Sequence, residues 1–285
     1  MRLDEKSSAG LAVASWRGQL HLAWTGSDMR LNLASSPDGR EIAVKQRLDQ
    51  RSYKQETTGT GETSSTRHVG LAPALATSGD GLYLAWRGSD AALNLLAAED
   101  PAQAPLTLRE RSGHSPALAA SGDGGLVLSW TGTDRRVNLL TAGQGPYLGS
   151  GPAGTAKTTL EQARSADPPA LCWHRDSLVL AWTGTDHRVN IMADAMNPPG
   201  PPARLDDART MHAPALCSHQ GSLVLAWTGT DHRVNILTGA AEPHGSPVRL
   251  DGARTAHAPA LCSHQGGLIV AWSGTDRRLN LARLP

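Results

Sequence analysis

The stretch LAWTGTDHRVNI, residues 225–236, decides the fold, because it recurs along the chain. It stands unchanged at 180–191. Close variants read LAWTGSDMRLNL at 22–33, LAWRGSDAALNL at 84–95, LSWTGTDRRVNL at 128–139 and VAWSGTDRRLNL at 270–281. The Trp residues of the six copies lie 62, 44, 52, 45 and 45 residues apart. A period near 45 with strand–turn–strand chemistry in every copy is the mark of a propeller blade. The sequence therefore predicts an all-β, six-bladed β-propeller of four-stranded antiparallel blades.

One repeat shows the expected strands. APALCSH at 213–219 is strand A, the innermost, and Gln220-Gly221-Ser222 turns the chain. LVLAW at 223–227 is strand B, apolar on both faces as a strand packed between two blades must be. TGTD at 228–231 is the hairpin turn, RVNILT at 233–238 strand C and PVRLD at 247–251 the outer strand D. The last repeat stops at LARLP, directly after strand C. The first residues, Met1-Arg2-Leu3-Asp4, match the RLD that ends strand D at 204–206 and 249–251, so Arg2 to Asp4 is expected to complete blade six. That removes two sheet edges at once. The reading is one domain over 1–285, with blades at about 9–55, 70–112, 113–165, 166–208, 211–252 and 256–285 plus 1–5. Inserts at 50–70 and 141–165, rich in Gly with Thr, Ser or Ala, are expected to be surface loops, with lids as the alternative that the sequence leaves open.

Composition narrows the function classes. The net charge of +1 gives no case for nucleic acid or a membrane surface, and no apolar run approaches a membrane span. MRLDEKSSAG has no apolar signal-peptide core, so the expected location is cytoplasmic unless a non-classical export route acts. Cys172, Cys217 and Cys262 share one slot in three blades and read as buried free thiols.

The phrase W-x-G-[ST]-D-x-x-[LV]-N resembles the blade repeat of bacterial propeller proteins of lectin type. The stretch Ser35-Ser36-Pro37-Asp38-Gly39 resembles a degenerate Asp-box, the bottom-face turn of sialidase-like propellers. The resemblance implies a lectin-like propeller fold and a carbohydrate ligand. A sialidase-like enzyme would need a Tyr nucleophile with a carboxylate partner, and Tyr53, Tyr83 and Tyr147 stand in no matching phrase.

Comparison among the six copies separates fold chemistry from ligand chemistry. Asp28, Asp90, Asp134, Asp186, Asp231 and Asp276 recur in every turn, and Asn32, Asn94, Asn138, Asn190, Asn235 and Asn280 in every strand C. These read as structural, as does the Trp series. Positions that vary are more informative. Arg136, Arg188, Arg233 and Arg278 follow the turn in blades 3 to 6, whereas blade 2 has Ala92. They are candidate ligand contacts, with in-blade ion pairs to Asp as the competing reading. Just before strand A, His114, Asp167, His212 and His257 share one position, where blades 1 and 2 carry Ala9 and Leu71. Arg111, Arg164, Arg209 and Arg254 precede them by three residues. The D–A and B–C connections share a face and strand A lines the channel, so the three His and one Asp are expected around its mouth. They are candidates for a divalent metal or for general acid–base work, the competing reading being turn caps copied by duplication. His174, His219 and His264, at the other end of strand A, are expected on the surface.

Three classes stay open. One is a lectin with a shallow pocket at each blade boundary, its ligands held on the face carrying the B–C and D–A connections. The next is an enzyme or small-molecule binder with a single pocket at the channel mouth. The third is a protein-interaction scaffold. The expected partner is a glycan or a small polar or anionic ligand, with no certain cofactor. The oligomeric state is open, a monomer included.

Overall fold

In the computed structural model, all residues are described except 59–63, 80, 121–123, 142–155, 199 and 241–244. Six four-stranded antiparallel sheets form the blades of a six-bladed β-propeller. Blade 5 holds strand A at Ala215–His219, B at Ser222–Thr228, C at Arg233–Thr238 and D at Val248–Arg254. The six A strands touch in a closed ring around the axis. The N-terminal strand Arg2–Lys6 pairs with Arg278–Leu284, aligning Arg2 with Asn280 and Lys6 with Arg278, and so closes blade 6.

The core divides into six layers, one per blade boundary, and the alternation of strand B accounts for this. Leu223, Leu225 and Trp227 pack backward onto Val189 and Ile191 of blade 4. Val224 and Ala226 pack forward against Val270 and Trp272 of blade 6. Each Trp thus lies on strand C of the preceding blade, and none of the six is more than 8 % exposed. Removing such a side chain costs about 3–5 kcal/mol. The cysteines sit in the same layers; all three are free, and burial pushes the thiols of Cys172 and Cys217 up to about 12 and about 11.

Polar stitches add to the packing. The residue after the Trp reaches the next blade: Thr131 Oγ1 donates to Asp167 O, Thr183 Oγ1 to His212 O and Thr228 Oγ1 to His257 O, at 2.7, 2.7 and 2.6 Å. Blade 2 has Arg87 in this slot, and its Nε donates to Ser112 O at 3.1 Å.

The insert expected as a loop at 50–70 is a β-hairpin, Tyr53–Thr58 against Ser65–Gly70. Its Thr-rich composition suits a ladder as well as a loop, and Arg67 pairs with Glu56 across it at 2.8 Å. Of the insert at 141–165, Ala156–Arg164 is strand D of blade 3, and 142–155 lies outside the described residues, as does Tyr147.

Candidate functional site

On the face carrying the B–C turns, the repeated phrase satisfies itself. In blade 5, Gly229 N donates to Arg233 O at 2.8 Å and His232 N to Gly229 O at 2.9 Å. Asp231 Oδ1 accepts from Arg233 N at 3.1 Å, and Asn235 Nδ2 donates to Arg233 O at 3.1 Å. A Cβ on Gly229 would lie 2.8 Å from both the Asp231 carboxylate and the Asn235 amide, which is why every copy has glycine there. The same bonds recur in all six blades, so Asp and Asn are structural. The hydrogen bond from the Arg i+2 N–H holds Asp134, Asp231 and Asp276 below the usual carboxylate range.

The arginines that follow are largely engaged within their own blades. Arg136 meets Asp134 at 3.1 Å and Glu161 at 2.9 Å. Arg188 meets Asp186 at 3.2 Å and Asp206 at 3.6 Å, and Arg278 meets Asp4 at 2.6 Å. Arg233 reaches Asp231 at 3.9 Å. Arg111, Arg164, Arg209 and Arg254 belong to a larger set that sequence reading missed. With Lys6 and Arg51 they form a ring of six exposed cations, each opposite the first residue of strand C. None of the six forms an ion pair among the described residues; Arg111 and Arg164 donate to the carbonyls of Asp90 and Asp134 at 2.6 and 3.5 Å. A basic residue followed by Ser or Thr just before each D–A connection would have revealed the ring.

That Ser or Thr shapes the channel mouth. It is at most 1 % exposed in all six blades. Ser112, Ser165, Thr210 and Thr255 accept from the backbone N–H of His114, Asp167, His212 and His257 at 3.0, 3.3, 3.0 and 3.0 Å. The same residue donates its own N–H to the middle residue of the B–C turn, as from Thr210 to His187 O at 2.9 Å. These middle residues, Met29, Ala91, Arg135, His187, His232 and Arg277, all have φ between 63° and 71° with no glycine among them. The predicted quartet therefore shares one level of the ring, each member two residues past a Ser or Thr that is bonded to the B–C turn of the preceding blade.

The quartet's electrostatics follow from burial. It lowers the pKa of His114, aided by the charges of Lys54, Arg87 and Arg135, and that of His212, aided by His232. His257 is pushed down to about 4 by burial and then by His212 and Arg277. Burial raises Asp167 to about 6, against the pull of Lys54 and His187. Among the described residues, no three or more His, Cys, Asp or Glu side chains are grouped as a metal site. Lys54, from the hairpin, was not anticipated; only the fold brings it to blades 3 and 4.

The opposite face corrects one expectation. His174, His219 and His264 are buried, not on the surface, because each bridges to the next blade. Their Nδ1 atoms lie 2.9, 2.9 and 2.8 Å from the hydroxyls of Ser218, Ser263 and Ser15. Cavities open at the blade boundaries, and His219 lines one of them. One of about 450 Å³ lies between blades 5 and 6, with Val224, Ile236, Leu250 and Leu268 as apolar wall and His219, Gln220, Thr238 and Arg249 as polar rim. Others of about 430 and 130 Å³ lie at the 6/1 and 4/5 boundaries. The Nε2 of His219 is buried without a hydrogen-bond partner, whereas that of His264 has Pro37 O at 3.4 Å.

Known proteins resemble the chain in shape alone. No protein-family profile and no curated protein matches it. AofleA from Arthrobotrys oligospora superposes with a TM-score of 0.66 at 10 % identity, over 100 % of this chain and 85 % of that one. An Asn-to-Gln variant of Aleuria aurantia lectin, in complex with α-methyl-L-fucoside, gives 0.65 at 10 % identity over 100 % and 96 %. Trypanosoma rangeli sialidase with the inhibitor DANA gives 0.64 at 10 %, over 98 % of this chain but 55 % of that one. At such identities the shared property is the fold, the six-bladed propeller.

Proposed function

We propose that the protein is a carbohydrate-binding propeller that takes sugars in the cavities between neighbouring blades. The observation that carries this reading is the orphaned Nε2 of His219 beside the cavity between blades 5 and 6. A buried ring nitrogen needs a hydrogen-bond partner, and a sugar hydroxyl supplies one. The apolar wall of the same cavity suits the C–H face of a sugar ring, and Gln220 and Arg249 add donors at the rim. The full-length likeness to the Aleuria lectin supports the reading, and the sialidase likeness covers only about half of that enzyme. The cavity is lined by His219 and Gln220 of the A–B turn and so lies on the side away from the B–C turns, where Arg136, Arg188 and Arg278 meet carboxylates more closely than Arg249 meets Asp231, at 3.9 Å.

A glycan array followed by calorimetric titration, starting with α-methyl-L-fucoside, tests the proposal. Arg249→Ala and Gln220→Ala should each weaken binding about tenfold, in keeping with the loss of one hydrogen bond from a charged or well-placed donor. An array without a bound glycan, or unchanged affinity in both variants, would refute it.

A further inference from the structure

We propose that the mouth of the central channel is a second ligand site, for one small hydroxylated carboxylate such as a sugar acid, and that the insert hairpin completes it. The mouth is lopsided. In blades 1 and 2 the quartet's position is apolar, Ala9 and Leu71, and both are buried. The hairpin rises from this sector, filling the connection between Ser52 and Leu71 that is one residue long in the other five blades. Its base is fixed: Arg87 Nη1 donates to Tyr53 O, and a Cβ at Gly70 would lie 2.9 Å from Ser8 Cβ. The inner wall is tight here, since a Cβ on Gly10 would be 3.1 Å from Ala258 O and 3.6 Å from Ala72 Cβ.

The other four blades supply polar heads with nothing to hold. His114, Asp167, His212 and His257 spend their backbone groups on the connections. Among the described residues, none of the four side-chain heads forms a hydrogen bond with protein. All four are partly buried, and their side-chain polar atoms stay open to a ligand rather than sealed in the fold. Lys54 follows Tyr53, whose carbonyl Arg87 of blade 2 holds, and its charge acts on both His114 and Asp167. Glu56 pairs with Lys54 at 2.9 Å but also with Arg67 at 2.8 Å, and an ammonium has three donors, so Lys54 keeps donors for a ligand.

The division of labour follows from the chemistry. Lys54 and the neutral imidazoles donate to a carboxylate, and Asp167 accepts from hydroxyls. The surrounding ring of Lys6, Arg51, Arg111, Arg164, Arg209 and Arg254 lacks ion-pair partners among the described residues, so its field draws an anion toward the axis. A neutral sugar would leave Lys54 unused, and a bare carboxylate would leave Asp167 unused.

Calorimetric titration of the full chain with D-glucuronate, D-glucose and acetate tests the site. One glucuronate per chain is expected, with glucose and acetate at least tenfold weaker. Lys54→Ala should weaken glucuronate at least tenfold, and so should replacing 53–70 by a single Ala, the connector length of the other blades. Arg249→Ala, in the inter-blade cavity, should leave glucuronate binding unchanged, which separates this site from the proposed lectin site. No binding of glucuronate, affinity no better than that of acetate, or wild-type affinity in Lys54→Ala overturns the proposal, whatever the fate of the hairpin replacement.

Discussion

Blades 2 and 5 make the same turn from different surroundings. In both, an Asp carboxylate accepts from the backbone two residues on and an Asn caps the same carbonyl, at distances equal to within a tenth of an ångström. Around that turn blade 5 carries His232, Arg233, Arg249 and His212, whereas blade 2 carries Ala91, Ala92, Thr107 and Leu71. Thr107 still reaches the turn, donating to Asn94 Oδ1 at 2.8 Å. The constant residues are consumed inside the blade, and the varying ones are what the blade can offer a ligand. Recurrence in this chain therefore marks fold chemistry, and departure from recurrence marks the candidate sites.

The largest effect should be indifferent to this contrast. Trp86→Ala in blade 2 and Trp227→Ala in blade 5 empty equivalent layers at 2 % and 3 % exposure. Each should lower stability by about 3–5 kcal/mol in urea denaturation. A loss in one blade only would break the equivalence of the layers.

The next prediction isolates a departing residue. Asp167 has an ordinary pKa of 3.8 unfolded and about 6 folded. A carboxyl raised on folding binds its proton more tightly in the native state, so its ionisation destabilises the fold. The penalty is absent below about pH 3.8, grows as pH rises to about 6 and is complete above it. Asp167→Asn should therefore stabilise the protein at pH 7.5, by at most about 3 kcal/mol. The gain should fade toward pH 4. A thermal-melt series against pH reads this directly, and a variant less stable than the parent at pH 7.5 would show that the carboxylate is paired rather than held against its cost.

The smallest effect concerns the rim. Arg47 pairs with Asp28 in blade 1, where blade 3 has Thr159 donating to Asn138 Oδ1 at 2.8 Å. Arg47→Thr installs the blade 3 solution. Because the pair is exposed, stability should change by less than about 1 kcal/mol, and less still in high salt. A larger loss would place the outer-strand arginines among the determinants of the fold.

The sequence by itself determined the propeller, the six blades, the strand that closes the ring and the structural standing of Asp, Asn and Trp. These were legible because each rests on local chemistry repeated six times: an alternating apolar strand, a turn that hydrogen-bonds to itself, a glycine with no room for a Cβ. It also placed His114, Asp167, His212 and His257 in one register, since register is a property of the repeat. The tertiary structure alone decided what those positions meet. The bridges of His174, His219 and His264 to Ser218, Ser263 and Ser15 join residues from different blades. The cavity beside His219 exists only where two blades diverge. Lys54 is separated from Asp167 by more than a hundred residues and reaches its sector only because the ring closes. Contacts of that kind join residues of different blades, so no reading of one repeat could contain them.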